Sequence, residues 1–169
     1  LLMDGETLTP LGTSMDLHAG QLVDRVGVAL GLPFPSGPHL EEMAVQGNAR
    51  ALVPVSMNEK SLQCHLSGAE AQLMRMVKEG MEKNDIAAEV YSILCRTVLR
   101  LLNSAADQTD TRDILLAGGV ASSRLFRKLV QERNEKRRLQ LNLHFGKPEY
   151  SGDNAVGVAL IGLEKLQGG

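Results

Sequence analysis

Asp113-Ile114-Leu115-Leu116-Ala117-Gly118-Gly119-Val120-Ala121 decides the reading of this chain. A short apolar run ends in two glycines and opens into a helical pattern over Val120–Asn134, so a buried strand turns directly into a helix. Leu139–Phe145 then alternates in polarity as a second strand, and Asp153–Leu166 reads as a final helix. Strand, helix, strand, helix in that order predicts an α/β layer with parallel strands. Two adjacent glycines at such a turn let backbone amides approach a phosphate or nucleoside closely. The pattern is shorter than a dinucleotide fingerprint or P-loop, and by itself it also describes a plain tight turn.

Working outward, Leu1–Met3 and Thr7–Leu11 flank the turn pair Asp4-Gly5, which predicts an opening hairpin. Met15, Ala19, Leu22, Val26 and Ala29 fall at helical spacing, with Thr13, Ser14 and Asp16 available as caps and Gly31 as the stop. The Leu32–Pro38 stretch holds three prolines and a glycine and cannot be regular, while Pro38 suits the first turn of a helix through about Val45. Ala51–Val55 and Leu62–Leu66 read as strands. Ser67 with Glu70 has the capping-box spacing for a helix over Gly68–Glu82, and Asp85–Asn103 carries a continuous apolar stripe.

The chain has 169 residues, 43% of them hydrophobic and 22% charged, enough for one packed domain and unlike a disordered or fibrous composition. Its net charge of −2 argues against bulk electrostatic capture of nucleic acid. Cys64 and Cys95 cannot form a disulfide framework, and no stretch is apolar enough for a membrane span, so a cytoplasmic protein without a membrane partner is expected. His18, His39, His65 and His144 show no metal-ligand spacing. Residues 124–138 carry seven basic side chains, which reads first as a solvated helix face. Three further positions admit two readings each. Asp24 follows Gly20 by one helical turn and is either a solvated acid or an acceptor for ribose hydroxyls. Gly37 is a turn glycine or bare backbone for a ligand ring, and Asp153 is a helix cap or an oxygen ligand to a metal.

Five stretches, in this order, resemble one family: Leu11-Gly12-Thr13-Ser14-Met15-Asp16; Ala19-Gly20-Gln21-Leu22-Val23-Asp24; Gly31-Leu32-Pro33-Phe34-Pro35-Ser36-Gly37-Pro38; Ala117-Gly118-Gly119-Val120-Ala121; and Gly152-Asp153-Asn154-Ala155. They match the C-terminal half of the tRNA threonylcarbamoyladenosine synthase family, whose older name is O-sialoglycoprotein endopeptidase or glycoprotease. The resemblance implies an actin-like (ribonuclease H-like) ATPase fold of two lobes. This chain, residues 1–169, would be the second, C-terminal lobe, with a helical insertion over about 60–107 and the N-terminal lobe absent. Asp24, Gly37, Gly118, Gly119 and Ser123 would bind the nucleotide, ATP or threonylcarbamoyl-adenylate. Asp153 would be this lobe's ligand to a divalent metal, iron or zinc, whose other ligands lie in the missing lobe. The implied reaction transfers a threonylcarbamoyl group to an adenosine of tRNA, with the N-terminal lobe, tRNA and related subunits as partners. A lone lobe is expected to bind weakly and to transfer nothing.

The chain departs from the family pattern at Leu17, Gln21, Ser123 and Glu70, where the family has an Asp, an acid, an Asn and a Lys respectively. These departures favour an alternative, a catalytically degenerate paralogue acting as a binding or scaffold protein. The peptidase of the older name finds no zincin motif or general base here.

Overall fold

A computed structural model describes residues 1–5 and 7–151 of the chain as a mixed α/β structure. Its strands are β1 (Leu2–Asp4), β2 (Thr7–Thr9), β3 (Thr13–Ser14), β4 (Ser56–Asn58), β5 (Gln63–His65), β6 (Asp113–Leu116) and β7 (Asn142–Phe145). Its helices are α1 (Ala19–Ala29), α2 (Gly37–Gln46), α3 (Ser67–Lys78), α4 (Lys83–Thr109), α5 (Gly119–Ser122) and α6 (Arg124–Arg137). The expected last helix, Asp153–Leu166, lies outside the described residues.

The strands form three small sheets: the antiparallel hairpin β1–β2, the sheet β3–β5–β4, and the pair β6–β7. β6 and β7 run parallel with Asp113 opposite Asn142 and Leu116 opposite Phe145, as the strand–helix–strand order predicts. In the hairpin, Asp4 pairs with Thr7 and so belongs to the strand, while Gly5 takes the turn conformation at φ +57°. Of the expected turn pair Asp4-Gly5, Asp4 is therefore a strand residue and Gly5 keeps the turn conformation.

At 27 residues, about 40 Å long, α4 runs through the centre of the core. Ile86, Val90, Ile93 and Leu94 are buried against Leu40 of α2, Leu22 and Val26 of α1, Leu73 of α3, and Phe126 and Val130 of α6. The helix outruns the Asp85–Asn103 prediction at both ends, because its apolar stripe continues to the buried Ala106. Residues 60–107 thus contain β5 and most of α4 as well as α3.

Several expectations fail for traceable reasons. α1 begins at Ala19, not Met15: Thr13 and Ser14 pair in parallel with β5, and the Ser14 hydroxyl donates to Leu17 O at 2.6 Å. Asp16 caps a different helix. Its Oδ1 accepts the Leu66 amide at 2.8 Å, and its Oδ2 accepts the Ser67 hydroxyl, at the N-terminus of α3. The Ser67–Glu70 capping box therefore does not form; Glu70 instead pairs with Arg25 of α1 at 3.1 Å. That helix ends at Lys78, and Gly80 follows at φ +72°.

Ala51–Val55 is not a strand. The buried Glu89 of α4 accepts the Arg50 and Leu52 amides, and Arg96 donates to Val53 O, so side chains occupy the backbone groups a sheet would use. The strand follows at Ser56–Asn58, and the last strand is likewise shorter than predicted, opening at Asn142. The expected continuous helix Val120–Asn134 breaks at Ser123, which is extended (φ −61°, ψ 128°) and caps α6 by accepting the Phe126 amide at 3.1 Å.

Candidate functional site

A cleft of about 360 Å³ opens between α1, the loop into α2, the middle of α4 and the α5 turn. Its lining includes Asp24, Gly37, Gly119 and Ser123, which lie up to a hundred residues apart in sequence yet meet in one cavity. Gly118 adjoins it as the residue capping α5. The cleft thus gathers most of the residues proposed for nucleotide binding, whereas Asp153 lies outside the described residues.

The cleft's first wall follows from a close approach of backbones. A Cβ at Gly27 would sit 2.3 Å from the Ser36 Cβ, so α1 can lie against the Pro-rich loop only because that position is glycine. Ser36 is fully buried by this contact. One turn earlier on α1, Asp24 Oδ1 accepts the Ser36 amide at 2.8 Å. Its other oxygen accepts no hydrogen bond among the described residues, and Asp24 lines the cleft. A carboxylate tethered through one oxygen is held in orientation while the second stays available to a hydroxyl donor. The residue is therefore not a freely solvated acid but a brace at the start of α2.

The opposite wall is the glycine turn. Gly118 takes φ +111°, a conformation that L side chains rarely adopt, and Cβ atoms built on Gly118 or Gly119 meet nothing within 4 Å. Side chains there would project into open space, so the glycines keep the backbone bare. Arg127 of α6 fixes this turn from behind. Its guanidinium donates to Ala121 O and Gly146 O, both at 2.6 Å, and lies 5.2 Å from the Phe145 ring centroid. One of the seven basic residues of the 124–138 run is thus a structural clamp rather than part of a solvated face.

Two cleft residues escaped the sequence reading. Glu41 lies one turn beyond Gly37 on α2, and its Oε1 accepts the Leu125 amide at 2.7 Å, joining α2 to α6. Tyr91, on the stripe of α4, donates its hydroxyl to Gly37 O at 3.3 Å. Burial, with the Glu41 carboxylate adding to it, pushes the Tyr91 phenol up to about 12. A phenol on an otherwise apolar stripe, in a chain with two tyrosines, is the signal that could have found it.

Three of the family departures lie elsewhere. Leu17 is in the core, Gln21 accepts the His18 amide at the start of α1, and Glu70 pairs with Arg25; none lines the cleft. Ser123 does line it. Both cysteines are buried, and burial pushes the Cys95 thiol up to about 11, so neither is an activated nucleophile. Among the described residues no group of three or more His, Cys, Asp or Glu side chains could hold a metal. His65 and His144 each lie beside one Asp, at 3.5 and 3.6 Å. No described helix is long and apolar enough to cross a membrane.

A model of the TsaD family, tRNA N6-adenosine threonylcarbamoyltransferase, matches residues 1–160. The tRNA N6-adenosine threonylcarbamoyltransferase of Fervidobacterium nodosum is 28% identical over 177 residues, covering 98% of this chain and 51% of that protein. The chain spans about half the length of that curated relative. Among solved structures, HypF of T. kodakarensis aligns with a TM-score of 0.64 at 23% identity, over 88% of this chain and 20% of HypF. That likeness is one of fold alone.

Proposed function

This chain belongs to the TsaD family of tRNA N6-adenosine threonylcarbamoyltransferases, and we propose that it forms the nucleotide-binding half of such a transferase. In this reading the chain is the second lobe of an actin-like, ribonuclease H-like pair, residues 60–107 are an inserted segment, and the cleft holds the adenosine end of ATP or of threonylcarbamoyl-adenylate. The observation that carries it is the meeting of Asp24, Gly37, Gly119 and Ser123 in one cavity. The free oxygen of Asp24 accepts a ribose hydroxyl, the bare Gly37 and Gly118-Gly119 backbone lies against the nucleoside, and Ser123 borders it. Because Leu17, Gln21 and Glu70 have structural roles away from the cleft, the degenerate-paralogue alternative rests mainly on Ser123.

A divalent metal, iron or zinc, would polarise carbonyl or phosphate oxygens in an acyl transfer. Asp153 is its proposed ligand here. The described residues supply no further cluster for it. The remaining ligands and the tRNA contact belong, in this proposal, to an N-terminal lobe and related subunits, and the lone lobe transfers nothing.

Calorimetry of ATP against the full-length protein tests the reading. Saturable heat that is reduced at least tenfold in affinity by Asp24→Ala is the expected result. Absence of binding at millimolar ATP overturns it.

A further inference from the structure

The nucleotide reading of the cleft leaves one of its buried polar groups without a role. Tyr91 is only 2% exposed, projects from the most deeply packed helix and reaches the cleft floor. Its hydroxyl has two neighbours from opposite walls. On one side it donates to Gly37 O at 3.3 Å; on the other it faces the Ser123 side chain. Both neighbours are themselves fixed. Gly37 follows Ser36, which Asp24 holds, and the Ser123 hydroxyl is committed to capping α6. The phenol is therefore rooted in the core, bonded to one wall and set beside the other in the same cavity.

We infer that Tyr91 is a positioning residue of this cleft, setting the separation of the Gly37 and Ser123 walls between which an adenosine nucleotide is held. The inference rests on the proposed nucleotide reading. A rigid ring anchored in the core suits the task, because its hydroxyl can move only if α4 moves. The phenol keeps its proton throughout the physiological range, so it always offers a donor to the Gly37 carbonyl and never a repelling charge to a phosphate. Without the hydroxyl, the Gly37 carbonyl loses its tie to α4 and the start of α2 can settle differently against the cleft.

The test uses the full-length protein in three forms: wild type, Tyr91→Phe, and a form carrying 3-fluorotyrosine at position 91. Calorimetry with ATP measures affinity, circular dichroism and melting report the fold, and fluorine resonance of the labelled residue reports the phenol directly. The expected result is retained fold and about five- to tenfold weaker ATP binding for Tyr91→Phe. In the labelled protein, the fluorine signal shifts saturably over the ATP range that calorimetry gives. Equal affinity in Tyr91→Phe and wild type overturns the inference while leaving the nucleotide reading intact. Weaker binding in Tyr91→Phe with a fluorine signal that ignores ATP also overturns it, since the phenol would then serve packing alone. Wild-type protein that gives no heat, with no fluorine shift in the labelled form, overturns the nucleotide reading and this inference with it.

Discussion

The Ser36 amide donates to Asp24 Oδ1 at 2.8 Å, so an acid on α1 fixes the loop that delivers Gly37 to the cleft. This bond makes Asp24 both a brace and, through its second oxygen, a candidate acceptor, and substitutions can separate the two roles. Asp24→Asn keeps an oxygen for the Ser36 amide and should melt close to wild type while binding ATP about tenfold more weakly. Asp24→Ala also orphans the amide and should cost about 1–3 kcal/mol of stability, read by denaturant unfolding.

Asp16 gives a pH signature. Its carboxyl is lowered from 3.8 to about 2, mainly by the Ser67 hydroxyl and then by the Leu66 and Ser67 amides, with burial opposing. A group depressed on folding contributes stability that is fully present above its unfolded value and lost as pH falls through the folded one. The wild-type protein should therefore lose stability between about pH 4 and pH 2, and Asp16→Asn should lose less over the same interval. Parallel melting curves across that window would contradict the assignment.

Arg127 discriminates charge from geometry. Lysine preserves the cation but cannot satisfy Ala121 O and Gly146 O as a planar fork while lying over Phe145. Arg127→Lys should destabilise by about 1.5–3 kcal/mol, the scale for hydrogen bonds to charged groups. Hydrogen exchange should show the loss concentrated in α5 and the end of β7. A lysine variant as stable as wild type would refute the clamp.

The two glycines of the α5 turn should fail differently. Gly118→Ala forces a side chain into φ +111° and should cost about 1–3 kcal/mol in folding. Gly119→Ala meets no atom within 4 Å, so the fold should tolerate it while the added methyl narrows the cleft. The measured pair is unfolding midpoint and ATP affinity; loss of stability in the second variant with affinity unchanged would reverse the argument.

How far the sequence could be read depended on whether a pattern was local. The parallel β6–β7 pair, the glycine turn and the stop at Gly31 follow from short-range rules, and they stand in the structure as spacing predicts, whereas the helix expected through Glu82 already ends at Lys78, before Gly80. The failures share one cause. Asp16, Glu89 and Arg96 spend their hydrogen bonds on distant backbone, and Ser67 gives its hydroxyl to the Asp16 carboxylate, so local capping and strand propensities gave the wrong partner. That Asp24, Gly37 and Gly119 belong to one cleft was legible only through the family resemblance, since taken singly each admitted a plain structural reading. Glu41 and Tyr91 left less of a mark, since their roles come from what α2 and α4 pack against.

The centrality of α4 limits how this pocket can diverge. The helix that presents Tyr91 to the cleft floor also carries Glu89 and Arg96, which hold residues 50–53, and the apolar side chains that four other helices share. A mutation that reshapes the floor is therefore filtered first by folding, whatever it offers the ligand. Gly119 lies on the short α5 turn at the rim, where a Cβ meets nothing within 4 Å and a side chain can change without moving the core. Drift in ligand preference among relatives should accumulate along that rim, while the floor changes only with its neighbours.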